Sequence, residues 1–184
     1  MAQDLSERKF GILFDWFDRT SDGWLTRDDF EQMAALFNTL APPEDQENRN
    51  ATREAFLRWW DLLSEADAAD AEQRVGRPQF LAVMSSHVIH PDNFKDIVPR
   101  IIDSLMRVVD TDGSGTLSAD EYIRMYDALG VPPSTSTPAF HLIDRDHDGS
   151  ISHDEFRTAI EEFYLGTDPE AAGHHLLGSP FEPE

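Results

Sequence analysis

The sequence contains no cysteine, which excludes disulfide bonds, thiolate chemistry and zinc sites built from thiolates. Basic residues are scarce: 15 Lys and Arg stand against 36 Asp and Glu, for a formal net charge of −21. This charge argues against nucleic acids and anionic membranes as partners and favours the binding of cations. No apolar run reaches the roughly 18 residues of a membrane-spanning helix.

Targeting and catalytic motifs are also missing. The stretch MAQDLSERKF lacks the apolar segment of a signal peptide, so we expect a cytoplasmic protein. The sequence contains no P-loop, no H-E-x-x-H zinc motif and no G-x-G-x-x-G dinucleotide motif. We therefore expect that the protein is not an enzyme.

Two stretches near the C-terminal end, 110–121 (DTDGSGTLSADE) and 144–155 (DRDHDGSISHDE), share one pattern of oxygen-bearing residues. A hard cation such as Ca²⁺ takes roughly six to eight oxygen ligands, and an EF-hand loop supplies them from positions one, three, five, seven, nine and twelve. In the first stretch these positions hold Asp110, Asp112, Ser114, Thr116 (through its carbonyl), Ser118 and Glu121. In the second stretch they hold Asp144, Asp146, Asp148, Ser150 (through its carbonyl), Ser152 and Glu155.

Glycine at the sixth position of both stretches suits the sharp turn of such a loop. Apolar residues on either side recur every three or four positions, which predicts one apolar face on each flanking helix. The alternative is an acidic, solvated turn without an ion. It is disfavoured because unpaired carboxylates at this density repel one another. The sequence therefore predicts two paired EF-hands with one Ca²⁺ site each.

A third loop at 18–29 repeats the pattern near the N-terminus. Its predicted ligands are Asp18, Thr20, Asp22, Trp24 (through its carbonyl), Thr26 and Asp29. Asp29 replaces the usual closing Glu, and its shorter side chain suits the tighter six-oxygen shell of Mg²⁺ better than Ca²⁺. We expect a divalent-ion site here, and of the three intact loops this one suits Mg²⁺ best. The alternative is an empty structural turn.

The second loop, 67–79, is predicted to bind no ion. It is one residue too long, has no glycine at the turn and ends in Gln79 instead of an acid. Asp67, Asp70 and Glu72 are therefore not taken as ligands. We expect Val75 to pair this loop with Leu25 of the first loop.

These units predict an all-α fold with four EF-hands in two pairs, packed as one compact globule with short β-bridges between paired loops. The N-terminal pair spans residues 1–90, and the C-terminal pair with an apolar tail spans 91–184. In the tail we expect Leu176, Leu177 and Phe181 to plug the apolar interior. His174 and His175 are interpreted as a surface pair, with a weak metal site as the alternative.

The chain resembles the sarcoplasmic calcium-binding proteins and their bacterial relative calerythrin. The likeness rests on three intact loops and a spoiled second one, on Asp29, on Pro99, and on the ending Phe163-Tyr164-Leu165-Gly166 before an apolar tail. The resemblance implies a single globule that buffers calcium and magnesium. Coelenterazine-binding photoproteins and luciferin-binding proteins share this scaffold.

Three functions follow as alternatives. The first is a monomeric calcium buffer or transporter with three divalent-ion sites. The second is a sensor that exposes an apolar groove to a protein partner; only five methionines are present, whereas sensors favour adaptable methionine-rich surfaces. The third is a carrier of a small apolar ligand in an aromatic cavity. Such a cavity would use Trp16, Trp59, Trp60 and Tyr126, although the same four residues suit an ordinary core equally well.

Overall fold

The computed structural model describes residues 2–66, 69–168 and 170–176. Within these residues the chain forms eight α-helices, four short β-strands, a π-helical turn at Met84–Val88 and a 3-10 turn at Ala172–His175. The helices are α1 (Ala2–Phe17), α2 (Arg27–Asn38), α3 (Gln46–Glu65), α4 (Arg77–Val83), α5 (Pro91–Val109), α6 (Ala119–Ala128), α7 (Pro133–Ile143) and α8 (His153–Leu165). The strands are β1 (Trp24–Leu25), β2 (Val75–Gly76), β3 (Thr116–Ser118) and β4 (Ser150–Ser152).

Each pair of consecutive helices encloses one loop, and the loops meet two by two. Strand β1 pairs antiparallel with β2, which sets Leu25 opposite Val75. Strand β3 pairs antiparallel with β4, which sets Leu117 opposite Ile151. All four of these side chains are fully buried, so each β-bridge also anchors its two loops to the core. The predicted all-α fold with four EF-hands and loop-pairing bridges is confirmed.

The acid that ends a loop also starts the next helix. The carboxylates of Asp29, Glu121 and Glu155 each accept the backbone N–H three residues earlier, at 2.8, 3.1 and 2.9 Å respectively. This is half of a capping box, which satisfies a backbone donor that the first helical turn leaves without a partner. The same side chains therefore fix the start of α2, α6 and α8 and the end of each candidate ion loop.

Aromatic side chains join the N-terminal EF-hand pair (helices α1–α4) and the C-terminal pair (helices α5–α8) in one core. Tyr164 of α8 has its ring centre 6.2 Å from that of Phe10 on α1, 6.1 Å from Trp59 on α3 and 5.9 Å from Phe94 on α5. All four residues are buried. The last helix thus packs against the first, third and fifth, and the core is continuous from one helix pair to the other. In the part of the chain that the structure describes, none of the helices combines the length and the apolar character of a membrane span.

Candidate metal centres

Three carboxylates converge in loop 110–121. One oxygen each of Asp110, Asp112 and Glu121 lies within 4.8 Å of the others. The Asp110 carboxylate accepts the backbone N–H groups of Ser114 at 3.0 Å and Gly115 at 2.8 Å, which wraps the loop around it. Gly115 has a φ of +82°. This backbone conformation is strained for any residue that has a Cβ atom, but glycine adopts it readily. Three negative charges at this distance repel one another, and a cation between them removes the repulsion.

Glu121 is held in place from two sides. Its Oε1 accepts the backbone N–H and the hydroxyl of Thr111 at 2.7 and 2.8 Å, and its Oε2 accepts the same two groups of Ser118 at 3.1 and 2.9 Å. Burial raises the pKa of this carboxyl, but the donors of Thr111 and Ser118 outweigh it and lower the pKa to about 2. Glu121 is therefore ionised at neutral pH.

Loop 144–155 repeats this arrangement with a different set of acids. One oxygen each of Asp144, Asp146 and Asp148 lies within 4.8 Å of the others. The Asp144 carboxylate accepts the N–H groups of Asp148 at 3.2 Å and Gly149 at 3.1 Å. The loop thus folds around its first acid in the same way as loop 110–121.

Glu155 stands at the exit of this loop, outside the close group of carboxylates found among the described residues. Its Oε1 accepts the Arg145 N–H at 2.8 Å, and its Oε2 accepts the N–H and hydroxyl of Ser152 at 2.9 and 2.8 Å. Burial raises the pKa of Glu155, but the donors of Ser152 and Arg145 lower it by more. The closing acid is therefore charged and held by donors from both sides of the loop.

Loop 18–29 has a looser set of acids and one oxygen that lacks a donor. Asp18 accepts the N–H groups of Asp22 at 3.2 Å and Gly23 at 2.8 Å, as the first acid does in the other loops. Asp29 is 2% exposed; its Oδ2 accepts the N–H and hydroxyl of Thr26, whereas its Oδ1 is buried without a hydrogen-bond partner. A buried carboxylate oxygen without a partner costs free energy that a cation offsets. The residues of this loop therefore fit a divalent ion.

The neutral oxygens predicted as ligands lie beside the acids. The Ser114 hydroxyl donates to the Thr116 carbonyl at 3.1 Å, and the Thr20 hydroxyl donates to Asp18 Oδ1 at 3.3 Å. Thr116, Ser150 and Trp24 begin the three short strands of these loops. Thr26, Ser118 and Ser152 occupy the residue before each outgoing helix. These residues therefore stand beside the acids of their own loops, at the positions that the ligand count assigns to them.

The second loop contains its own cation. The Arg74 guanidinium donates to Asp70 Oδ2 from Nε at 3.1 Å and from Nη2 at 2.9 Å, and it also contacts the Glu72 carboxylate. The carbon at its centre lies 4.5 Å from the centre of the Trp24 ring in the first loop. Hydrogen bonds from Arg74 lower the pKa of Asp70 although burial raises it. Arg74 therefore neutralises the two acids, Asp70 and Glu72, that could otherwise attract a metal ion. Asp67 lies outside the described residues.

This loop also keeps its turn without glycine. In each of the other loops, a glycine stands two residues before the residue that forms the β-bridge. In this loop Gln73 occupies that place, two residues before Val75, and its φ is +59°. Such a backbone costs a non-glycine residue roughly 1–2 kcal/mol. The Arg74 ion pairs and the β-bridge between Val75 and Leu25 hold the loop in this turn.

An apolar cavity of about 80 Å³ lies inside the core. Trp16 and Tyr126 line it, with ring centres 5.9 Å apart, and Leu176 lines it from the tail. Trp59 and Trp60, which the carrier hypothesis names beside Trp16 and Tyr126, do not line this cavity. Both are buried core residues and pack against Phe17 and Phe30 respectively. Pockets for drug-sized ligands are roughly 300–1,000 Å³. This cavity is too small for such a ligand without rearrangement of the core.

The chain after helix α8 folds back onto helix α1. Lys9 of α1 is fully buried, and its Nζ donates to the Gly166 carbonyl at 3.1 Å. The same Nζ lies 5.7 Å from the centre of the Phe163 ring. Burial lowers the pKa of Lys9 to about 8. Sequence reasoning missed this contact, because only the fold brings residues 9 and 166 together.

The 3-10 turn after helix α8 is fixed by hydrogen bonds. Glu162 accepts the Gly173 N–H at 2.9 Å, and His174 Nε2 lies 2.6 Å from the Asp168 carbonyl oxygen. The interpretation of His174 as a surface residue is wrong, because its side chain is fully buried; His175 is partly exposed. Leu176 is 5% exposed, as a plug residue should be. Leu177 and Phe181 lie outside the described residues.

Two family models match the C-terminal half of the chain. The model described as EF hand matches residues 101–126, and the model described as EF-hand domain matches residues 138–166. These ranges contain loops 110–121 and 144–155. The matches agree with the helix–loop–helix units and the close carboxylate groups in the structure.

Relatives match nearly the whole chain. A sarcoplasmic calcium-binding protein from Perinereis vancaurica tetradentata is 30% identical over 162 residues, which are 88% of this chain and 91% of that protein. Calerythrin from Saccharopolyspora erythraea is 24% identical over 169 residues, which are 90% of this chain and 96% of that protein. The crystal structure of the coelenterazine-binding protein from Renilla muelleri has a TM-score of 0.68 at 23% identity and covers 97% of both chains, a likeness of fold.

Proposed function

The chain belongs to the EF-hand family of sarcoplasmic calcium-binding proteins and calerythrin, and we propose that it is a calcium and magnesium buffer with three ion sites. In this proposal loops 18–29, 110–121 and 144–155 each bind one divalent cation, and loop 67–79 binds none. The relatives are named as calcium-binding proteins, which supports calcium as the main ion. The protein would act as a monomer in the cytoplasm.

In the proposed sites, acidic residues supply the charged oxygens, and hydroxyl and carbonyl groups supply the neutral ones. Asp110, Asp112 and Glu121 supply charged oxygens that already lie within 4.8 Å of one another. Asp144, Asp146 and Asp148 do the same in the fourth loop, where Glu155 closes the site as the twelfth residue. Serine and threonine hydroxyls and strand carbonyls complete each shell. A bound divalent cation supplies the positive charge that the crowded carboxylates otherwise lack.

The packing of the tail into the apolar interior is the observation that favours a buffer over a sensor. A sensor opens an apolar groove for a target when it binds calcium. Here Leu176 from the tail already lines the interior, and Lys9 ties the start of the tail to the first helix. Leu142 and Leu165 are the large apolar side chains that remain exposed among the described residues, and they stand on different helices. Burial of a Leu contributes about 1.5 to 3 kcal/mol, which a target peptide would have to offset.

Dye binding tests this closure. We expect the calcium-loaded protein to bind little of an apolar dye such as ANS. Leu176→Ala should increase dye fluorescence and lower the free energy of unfolding by about 2–5 kcal/mol, because it opens a cavity where the tail packs. Leu165→Ala is the matched control, since Leu165 is 47% exposed and its removal should change neither quantity much. Strong dye binding by the intact, calcium-loaded protein would favour the sensor instead.

Loop 18–29 is the proposed magnesium-preferring site. We expect Asp29→Glu to shift the preference of this loop from Mg²⁺ towards Ca²⁺, because a longer side chain offers both oxygens to a larger ion. Competition calorimetry, in which calcium is titrated at several magnesium concentrations, measures the shift. Asp28→Glu provides the control, since Asp28 is exposed and bonds to Gln32 instead of facing the loop. If the Asp29 variant keeps the same preference between Mg²⁺ and Ca²⁺, the length of the closing side chain does not determine which ion this loop binds.

A carrier of a small apolar ligand is the less favoured alternative. It is supported by the fold shared with a coelenterazine-binding protein and by a cavity with Trp16 and Tyr126 in its wall. The volume of about 80 Å³ counts against it, because a ligand of that class needs several times more space. The buffer therefore remains the function that the geometry supports best.

A further inference from the structure

The side chain of Arg74 links the second loop to the first. Within its own loop it pairs with Asp70 at 2.9 Å and contacts the Glu72 carboxylate. Across the β-bridge, its guanidinium carbon lies 4.5 Å from the centre of the Trp24 ring. Trp24 is the seventh residue of the first loop, the position that offers its carbonyl oxygen to an ion. One guanidinium group therefore connects two acids of the second loop with a predicted ligand residue of the first.

Strand β2 also holds Trp24. Trp24 pairs with Gly76 across the β-bridge, and a Cβ atom added to this glycine would lie 3.3 Å from Cζ3 of the indole ring. The ring therefore packs closely against Gly76. The Trp24 backbone N–H donates to Asp22 Oδ1 at 2.9 Å. The strand that contains Trp24 thus supplies one predicted ligand carbonyl and bonds to the carboxylate of a second predicted ligand.

The two EF-hand pairs differ in the charge that flanks their β-bridges. In the C-terminal pair, a close group of carboxylates lies in the loop on each side of the bridge between β3 and β4. In the proposed function each of these loops binds an ion, so positive charge stands on both sides. The N-terminal pair has a proposed ion on one side only. Arg74, which directly precedes strand β2, supplies the positive charge on the other side.

The charge of Arg74 is felt in both loops. The hydrogen bond to Asp70 raises the pKa of Arg74, and the negative charges of Glu72 and of Asp22 in the first loop raise it further, although burial opposes them. Repulsion between Arg74 and an ion in the first loop is weak, because the side chain is partly exposed and two acids balance its charge. A loop that is already held in its binding conformation pays less to bind. We therefore expect the positioning effect to outweigh the repulsion.

We propose that Arg74 is a tethered cation that takes the place of an ion in the second loop and positions Trp24 for ion binding in the first loop. This inference rests on the proposed function, because it requires an ion in loop 18–29. Arg74 does not touch that ion; it is a positioning residue that acts through Trp24 and strand β1. The second loop then serves the first as a partner loop that carries its own cation.

Each proposed ion loop contains one glycine amide that reports its occupancy. The N–H groups of Gly23, Gly115 and Gly149 donate to the first acid of their own loops at 2.8, 2.8 and 3.1 Å respectively. An ion that binds this acid changes the hydrogen bond and with it the NMR signal of the amide. Titration of the ion-free protein with magnesium alone, and separately with calcium alone, therefore gives an affinity for each loop.

Arg74→Gln should weaken ion binding reported by Gly23 by about tenfold, the lower end of the effects of groups that orient metal ligands. The affinities reported by Gly115 and Gly149 should stay unchanged, whereas a general loss of stability would change all three. The double variant Arg74→Gln with Glu72→Gln keeps the net charge and should show the same loss. In the ion-free protein, amide hydrogen exchange in strand β1 should become faster in both variants.

Arg27→Gln is the matched control. Arg27 is an exposed residue of the first loop and pairs with Glu31 at 2.7 Å, so its loss removes the same charge near the same ion. Loss of a nearby positive charge should leave the affinity unchanged or raise it slightly.

An affinity at Gly23 that Arg74→Gln leaves unchanged or raises would overturn the role of Arg74, as would an equal loss at all three glycines or in Arg27→Gln. If Gly23 responds to neither ion in the unsubstituted protein, loop 18–29 is not an ion site. The proposed first site and the role of Arg74 would then both be wrong.

Discussion

Removal of divalent ions with a chelator is expected to lower the thermal stability of the protein by roughly 15 to 30 °C. Each ion at about a hundred times its dissociation constant adds roughly 2.7 kcal/mol to the free energy of unfolding, so three sites add about 8 kcal/mol. For a chain of this length, 1 kcal/mol shifts the melting temperature by about 2–4 °C. The physical cause is the group Asp110, Asp112 and Glu121, and its counterpart in the fourth loop, where like charges face one another.

Calorimetric melting curves recorded with calcium, with chelator and with chelator plus sodium chloride measure this effect. The last sample separates specific ion binding from general screening, because salt screens exposed charges over about 8–10 Å without filling a site. We expect salt to recover only a small part of the lost stability. Identical curves with calcium and with chelator would mean that the carboxylate groups are not ion sites.

The second large effect is expected for Glu121→Gln, which should weaken calcium binding in loop 110–121 by roughly a hundredfold or more. Glu121 is the twelfth residue of the loop, its carboxylate lies within 4.8 Å of two other acids, and its low pKa keeps it charged. Loops of this type span several orders of magnitude in affinity with the number of charged ligands. Calcium titration calorimetry should show one tight site fewer.

Asp120→Asn is the control for this substitution. It removes the same charge one residue earlier, from an exposed side chain at a position that supplies no ligand. It should reduce affinity only through the general loss of negative charge, by a small factor. An equal loss of affinity in both variants would show that overall charge, and not the closing ligand, determines binding. Glu155→Gln tests the fourth loop in the same way; with four acids at ligand positions, that loop should be the tightest site.

The fold was largely predictable because its signals are local. A twelve-residue loop has fixed ligand positions, and apolar stripes with helical spacing flank each one. The pairing of Leu25 with Val75 followed from the same count, although the second loop had lost its glycine and its closing acid. The candidate ion loops form a repeated unit in which one residue, such as Glu121, is both the predicted closing ligand and part of a helix cap, so one sequence spacing predicts both.

The features that sequence reasoning missed depend on contacts between distant segments. The burial of Lys9 requires the tail to return to helix α1, and the burial of His174 requires a turn that bonds to helix α8. In the sequence Arg74 resembles an ordinary surface residue, and only the folded loop brings it into contact with Asp70 and Trp24. The same limit applies to Trp59 and Trp60. The sequence identified them as large aromatic residues suited to a core or to a cavity wall, but it could not specify which of the two they form.

We propose that three loops bind divalent ions and that the second loop binds none. Calcium titration calorimetry of the ion-free protein, with and without magnesium, measures the number of sites. We expect three sites with calcium alone and, in magnesium, two calcium sites at high affinity with the third weakened by competition at loop 18–29. Four tight sites, or two sites that Asp18→Ala leaves unchanged, would contradict it.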